Sequence, residues 1–234
     1  MKRRKNLLNL IIFLVAIFFA YQVFSYINTK TSEKKSIEIY REIEENSKID
    51  TEEKLDFDYL KNLNTNFIGW IKSDEGSIDY PIVKHNENNS FYLRHAINKD
   101  KNIMGSIFMD YRNTGFDDKF IMIYGHMTKN NSMFGSLNMF KENPIEDGFK
   151  IITEMQEINT KAVLAGIISG KNYINPSEYN DFNKRKEFYN LVKENSVYDI
   201  GYELKEEDDM INLITCTYER KNSRLVVITI KENH

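Results

Sequence analysis

The chain has 234 residues, 41% of them hydrophobic and 29% charged, with a formal net charge of −3. Five of its 32 basic residues and none of its 35 acidic ones fall in residues 1–30, so the remainder is markedly acidic. That balance argues against nucleic acid as a partner, and the roughly 200 residues beyond position 30 suffice for one domain with a sizeable core.

At the N-terminus Lys2, Arg3, Arg4 and Lys5 precede an uncharged stretch from Asn6 to Thr29, and within Leu7 to Ile27 only Asn9, Gln22 and Ser25 are not apolar. As a helix rising about 1.5 Å per residue, this run covers roughly 32 Å, enough to cross a hydrocarbon core of about 30 Å. A cleaved signal peptide has a shorter apolar region, usually about 7–15 residues, and a buried core helix is less uniformly apolar. The expectation is an uncleaved signal anchor: a single-pass protein of the cell membrane, with its basic tail in the cytoplasm and the rest extracellular. The basic cluster reads as a topology signal.

Residues 31–64 are charged and helical in spacing, with Ile37, Tyr40 and Ile43, then Leu55, Tyr59, Leu60 and Leu63, recurring at threes and fours. A break around Asn46 to Asp50 predicts two short helices, a stalk and a packing cap without chemistry of their own. From Phe67 the pattern becomes β-rich. Eight runs, FIGWIK, IDYPIVK, GSIFMD, KFIMIYGHM, FKIITEM, KAVLAGIIS, INLITCTYE and RLVVITIK, are separated by polar turns and predict a mainly antiparallel sandwich or barrel. One helix interrupts them, in DFNKRKEFYNLVKENS, where Phe188, Leu191 and Val192 share a face and Lys184, Arg185 and Lys186 read as solvated. The organisation expected is therefore 1–30 tail and membrane anchor, 31–64 helical stalk and cap, and 65–234 a β domain.

Cys216 is the single cysteine. In an exported chain it has no intrachain disulfide partner, so it is a buried spectator, an intermolecular link or a working thiol. A working thiol reacts as thiolate, needs a cation or base nearby, and needs a donor for the oxyanion it creates. Of the four histidines, His234 is terminal, His85 lies in a polar loop, and His95 fits a turn with a satisfied ring. His126 follows the apolar run Phe120 to Tyr124 and a glycine, emerging where a buried strand gives way to a loop, a place where scaffolds present catalytic groups. A structural histidine fits that position equally well. Alternation in INLITCTYE puts Leu213, Thr215 and Thr217 on one face and Ile214, Cys216 and Tyr218 on the other. Both faces are partly apolar, so the period does not decide which is wet.

The segment NLITC resembles the TLxTC signature of sortases, with Asn212 in place of the first threonine, and SRLVV beyond it resembles that family's arginine strand. IMIYGHM with MFGSL is similar to the sortase histidine strand and the loop after it. IGWIKSDEGSIDYPIVKHNENNSFYL and GSIFMD are similar to the opening strands of class B sortases, and the match covers essentially residues 60–230. The order, histidine then cysteine then arginine, is the family's own, and the helix near 182–195 resembles the one that class B carries between its sixth and seventh strands.

The resemblance implies an eight-stranded β-barrel with N-terminal helices and a membrane-anchored cysteine transpeptidase. Such enzymes cleave a C-terminal sorting motif of a secreted protein after its threonine, through a thioester. They then transfer the protein to an amine of cell-wall peptidoglycan. Carried onto this chain, Cys216 is the nucleophile, His126 the general acid and base, and Arg224 the group that holds substrate and steadies the oxyanion. The class B pattern implies that Asn89, Leu93, Ile214 and Thr215 border the substrate groove, although each has a structural reading too: Asn89 in a turn, Leu93 in the core, Thr215 as a strand former.

No metal-ligand spacing and no phosphate-binding glycine loop is present in the sequence, so neither a metal nor an organic cofactor is expected. Two alternatives stand beside this reading. Another cell-wall cysteine peptidase or transpeptidase is disfavoured by the order of residues and by Thr215 directly before the cysteine. A catalytically inactive, membrane-anchored binding barrel is disfavoured because all three polar residues are retained.

Overall fold

The computed structural model describes residues 2–48, 54–128, 130–142, 148–217, 219 and 221–232. His234, Tyr218 and the second part of the expected break, residues 49–50, lie outside the described residues. Helix α1 runs unbroken from Lys2 to Ser47. Its N-terminal stretch packs on nothing: Leu7, Phe13 and Phe24 are each about 60% exposed, an apolar surface long enough to cross a membrane.

The C-terminal part of α1 is docked instead. Ser36, Tyr40, Ile43 and Ser47, spaced by four and three, are buried in one stripe. Tyr40 crosses the Tyr80 ring edge-on at 5.7 Å, and its hydroxyl lies 2.5 Å from the Gly105 carbonyl and 2.9 Å from Ser106 Oγ. Burial drives the Tyr40 hydroxyl pKa upward, which keeps it neutral and able to donate. The first of the two short helices expected over 31–64 is thus the end of α1, because no helix-breaking residue separates the apolar run from the stalk. Ile37, assigned to the packed face by spacing, is exposed. The second is α2 (Phe57–Leu63), capped by Asp56, whose carboxylate accepts the Tyr59 N–H at 2.8 Å.

The eight β runs all form strands: β1 (Phe67–Ser73), β2 (Asp79–Val83), β3 (Ile107–Met109), β4 (Phe120–Tyr124), β5 (Gly148–Ile152), β6 (Glu157–Ser169), β8 (Met210–Thr217) and β9 (Ser223–Lys231). They hydrogen-bond in the order β5-β1-β2-β3-β4-β8-β9-β6, and β6 returns to β5, closing an eight-stranded barrel. Most pairings are antiparallel, while β2–β3 and β4–β8 are parallel. A ninth strand, β7 (Ser196–Asp199), was not expected. It pairs with β6 at Leu164 to Gly166, past the point where β5 leaves. Only Tyr198 of its four residues is buried, so it carries no alternation to read.

Alternation divides the strands between two cores. Ile121 and Ile123 of β4, Ile211 and Leu213 of β8, and Leu225 and Val227 of β9 pack together in the core inside the barrel. The alternate residues Phe120, Met122, Met210, Ile214, Val226 and Ile228 meet Phe188, Tyr189 and Val192 of helix α4 (Phe182–Lys193) outside it. Each buried side chain of that helix contributes about 1.5–3 kcal/mol.

The face of α4 is wider than the periodicity indicates. Arg185, expected on the solvated side with Lys184 and Lys186, is 1% exposed. Its guanidinium donates to the carbonyls of Tyr179 at 3.1 Å, Asn180 at 2.7 Å and Glu206 at 2.8 Å, tying the helix to the segments that flank it. Charge alone made it look solvated, but backbone acceptors take both terminal nitrogens, leaving Nε buried without a partner among the described residues. Arg185→Ala should cost about 3 kcal/mol in urea unfolding of the full-length chain in detergent, whereas Lys184→Ala and Lys186→Ala should each stay within about 0.5 kcal/mol.

Candidate active site

The parallel ladder between β4 and β8 runs in register from Phe120 opposite Met210 to Tyr124 opposite Ile214, and the Gly125 N–H donates to the Ile214 carbonyl at 3.1 Å. Two residues past that last pair, each strand presents a polar side chain: His126 after β4 and Cys216 near the end of β8. On the other side of β8, the antiparallel ladder pairs Cys216 directly with Arg224 of β9. Three neighbouring strands thus bring their three sequence-selected residues to one rim of the barrel. Pairing in register also puts Cys216 and Arg224 on the same face of the sheet.

Cys216 is exposed while Ile214, two residues earlier on the same face, is only 4% exposed. Both faces of β8 are dry over most of its length, one against the barrel core and the other beneath α4. The buried-spectator reading of Cys216 therefore does not hold.

Local backbone explains how the rim is held. A Cβ on Gly125 would lie 2.5 Å from Ile107 Cδ1 and 2.7 Å from the Phe134 ring, so only glycine lets the chain pass these groups into His126. The His126 carbonyl accepts the Phe134 N–H at 3.2 Å. Its Nε2 lies 2.5 Å from the Leu93 carbonyl; a carbonyl can only accept, so Nε2 carries a proton and Nδ1 is the nitrogen left free. Before Arg224, Asn222 takes a left-handed φ of 58°, and its carbonyl accepts the Gly170 N–H at 2.7 Å. Arg224 Nη1 donates to the Ser223 carbonyl at 3.1 Å.

Behind the rim lies an ionic network that the sequence reading did not single out. The Asp110 side chain is fully buried and accepts from Arg112 Nε at 2.8 Å, Arg112 Nη2 at 2.7 Å, Asn89 Nδ2 at 2.8 Å and the Tyr124 hydroxyl at 3.0 Å. Burial alone would raise its pKa, but the hydrogen bonds and charge of Arg112 outweigh that and hold it below the usual carboxylate range. Burial and the neighbouring Asp110 carboxylate push Tyr124 upward, so it remains a neutral donor. Arg112 reaches on to the Tyr173 hydroxyl at 3.0 Å. Arg112, Tyr124, Tyr173, Ile214 and Arg224 line a common cavity of about 200 Å³. One signal was available: Tyr124 stands two residues before His126, on the same face of the strand.

The four groove residues separate. Ile214 lines the cavity beside Arg224. Leu93 is 39% exposed rather than core, and meets His126 through its carbonyl. The Asn89 side chain is engaged internally, accepting the Tyr111 N–H at 2.9 Å and donating to Asp110. Thr215 is 2% exposed and points to the opposite face from Cys216, into the barrel, so its side chain does not border the cavity. Of the other histidines, His85 Nδ1 faces the backbone N–H groups of Glu87 and Asn88, while His95 stacks on Phe91 at 4.1 Å and meets its carbonyl at 2.7 Å.

A family model for the Sortase domain matches residues 71–232. Sortase B of Listeria monocytogenes is 30% identical over 174 residues, covering 72% of this chain and 70% of that protein. Among solved structures, sortase B from B. anthracis superposes with a TM-score of 0.71 at 25% identity, covering 87% of this chain and 99% of that one. A Streptococcus pyogenes class B sortase involved in pilus biogenesis gives 0.67 at 30% identity, covering 75% of this chain and 97% of that one. With a family model over most of its length and a fold that superposes on these relatives, the chain belongs to the sortase family of cysteine transpeptidases, in its class B.

Proposed function

We propose that this protein cleaves a C-terminal sorting motif of secreted proteins after its threonine, holds the acyl half as a thioester on Cys216, and passes it to an amine of the cell-wall peptidoglycan. The observation that carries the reading is the register of β8: Cys216 opposite Arg224, with His126 at the matching position beyond the parallel ladder.

The Cys216 thiolate attacks the threonine carbonyl carbon, and the resulting oxyanion is held by the guanidinium of Arg224, which stays charged and offers several donors. His126, as imidazolium, gives a proton to the departing amine as the C–N bond breaks. The incoming amine then bonds the acyl carbon, the C–S bond breaks, and the surplus amine proton returns to His126. The Leu93 carbonyl supports these roles by accepting the Nε2 proton and leaving Nδ1 to exchange. Asp110 acts at one remove, fixing Arg112 and Tyr124 along the cavity that holds the motif.

The apolar part of α1 is the uncleaved anchor in this reading, with Lys2 to Lys5 cytoplasmic and the barrel extracellular. The three-part organisation, anchor to residue 30, stalk and cap to 64, catalytic domain from 65, goes with it.

A screen of pentapeptides against the full-length chain in detergent should identify a cleaved motif. Cys216→Ala should then lose about 10³-fold or more of that cleavage, and activity equal to the parent's would sink the nucleophile assignment. Arg224→Lys keeps the charge but not the planar fork, so kcat/KM should fall about 10–100-fold.

Asp110→Asn should destabilise the protein by about 3 kcal/mol at pH 7, read by urea unfolding, because it leaves Arg112 without its buried counter-charge. Since the folded-state pKa of Asp110 is depressed, its contribution is present above the unfolded value of about 3.9 and is lost as pH falls through the folded one. The gap between parent and variant should therefore shrink below about pH 4.

A further inference from the structure

The chain that leaves His126 is knitted to itself before it continues. The His126 carbonyl accepts the Phe134 N–H at 3.2 Å, and Met127 bridges to Met133. Asn138 Nδ2 donates to Met127 Sδ at 2.8 Å and to the Gly135 carbonyl at 3.0 Å. A 3₁₀ turn, Phe134–Asn138, runs without a break into the short helix α3 (Met139–Glu142), and Phe134, Leu137 and Phe140 are buried in the barrel core. His126 and α3 thus belong to one body.

From that body Lys141 reaches across to the chain beyond Cys216. Its Nζ donates to Thr217 Oγ1 at 2.7 Å and to Glu219 Oε1 at 2.6 Å, and its side chain is 16% exposed. Both bonds have a charged donor, which makes them stronger than neutral ones. Thr217 directly follows Cys216 and ends β8; opposite it in the ladder stands Ser223, the residue before Arg224. Glu219 lies in the connection between β8 and β9. One ammonium therefore holds the hairpin that carries both Cys216 and Arg224.

Placement gives this contact a role. Below the rim, β4 and β8 are fixed to each other as far as the bond from the Gly125 N–H to the Ile214 carbonyl. Beyond it β4 gives way to a loop while β8 runs on to Thr217, and Lys141 ties the two segments again on the far side. The separation of His126 and Cys216 is thus bracketed from both ends. Thr217 is buried and alternates with Cys216, so the tie passes on the barrel side and leaves the thiol's own face open. Lys141 does not line the cavity beside Arg224, which sets it apart from a substrate contact.

The same bond occupies the carboxylate nearest to Arg224 in sequence. A guanidinium that is to meet an oxyanion is lost to that use once a carboxylate pairs with it. Among the described residues Glu219 pairs with Lys141 and not with Arg224, whose Nη1 donates to the Ser223 carbonyl.

We infer that Lys141 is a positioning residue for transpeptidation: it clamps the Cys216–Arg224 hairpin to the segment that carries His126, and it keeps Glu219 off Arg224. This inference rests on the transpeptidase reading, in which thiolate, imidazolium and guanidinium act on one acyl carbon.

The test uses the full-length chain in detergent and the peptide that it cleaves, under conditions where urea unfolding shows each variant to be folded. Lys141→Met should lower kcat about tenfold or more and leave KM within about twofold, because the clamp sets the reacting geometry and not the groove. Lys141→Arg, which can donate to both acceptors, should restore kcat to within about threefold of the parent. Thr217→Val with Glu219→Gln removes the acceptors and keeps the lysine. It should show the same loss, to which Lys141→Met adds nothing further. An unchanged kcat in Lys141→Met, no recovery in Lys141→Arg, or losses that multiply in the triple variant overturns the clamp. If Lys141→Met does not fold, Lys141→Arg and the acceptor pair decide the matter by the same criteria.

A parent that cleaves no peptide would instead overturn the transpeptidase reading. Alkylation of Cys216 by iodoacetamide then tests the clamp alone: His126→Ala should slow it about tenfold in the parent and less than about threefold in the Lys141→Met background. An equal effect in the two backgrounds, or no effect in the parent, removes the positioning role.

Discussion

The strand β8 is the constraint on which the rest depends, because it is paired in parallel on one side and antiparallel on the other. Parallel pairing with β4 makes both strands finish at the same rim, so that residues two past the last ladder position leave it together. Antiparallel pairing with β9 returns the chain to that rim from the opposite direction and sets Arg224 against Cys216. A one-residue slip in either ladder would turn Cys216 to the face now occupied by Thr215, inside the barrel. The hydrophobic residues on both faces of β8 guard against this, since a slip would exchange the barrel core for the surface beneath α4. Stability and site geometry are therefore the same set of contacts.

Two further devices build on that frame. Arg185 ties α4 to its flanks through backbone carbonyls and so holds the helix over the outer core. The Asp110–Arg112 pair, with Asn89 and Tyr124, makes a rigid back wall for the adjoining cavity. Such a pair is costly to desolvate, and each carboxylate oxygen here has the donors that offset the cost. The third tie, Tyr40 against Gly105 and Ser106, joins the end of α1 to the segment that leads into β3.

Much of this was legible in the residues. The eight strands were readable because each is an apolar run of Ile, Val, Phe and Tyr between polar turns, and the candidate membrane span because its residues are apolar on every side over the length of a bilayer. His126 was singled out by its place where a buried strand ends and by family resemblance, Arg224 by the resemblance. β7 escaped because four residues with one buried side chain have no period, and Arg185 because a charge on a helix reads as solvent-facing whatever carbonyls await it. Asp110 and Arg112 escaped because nothing in the sequence shows that their charges pair in a buried place behind the site.

Local chemistry alone specified which segments are strands, which helix is apolar, and which residue types a thiol nucleophile would need. Proximity was a different matter, since His126 and Cys216 are far apart in the chain and only barrel closure, with β4 and β8 made neighbours, brings them to one rim. Exposure was decided at the same level. The alternation of INLITCTYE is identical whichever face is wet, and only tertiary packing, with Thr215 inside the barrel and Ile214 in the outer cluster, keeps those two dry and leaves the Cys216 thiol exposed.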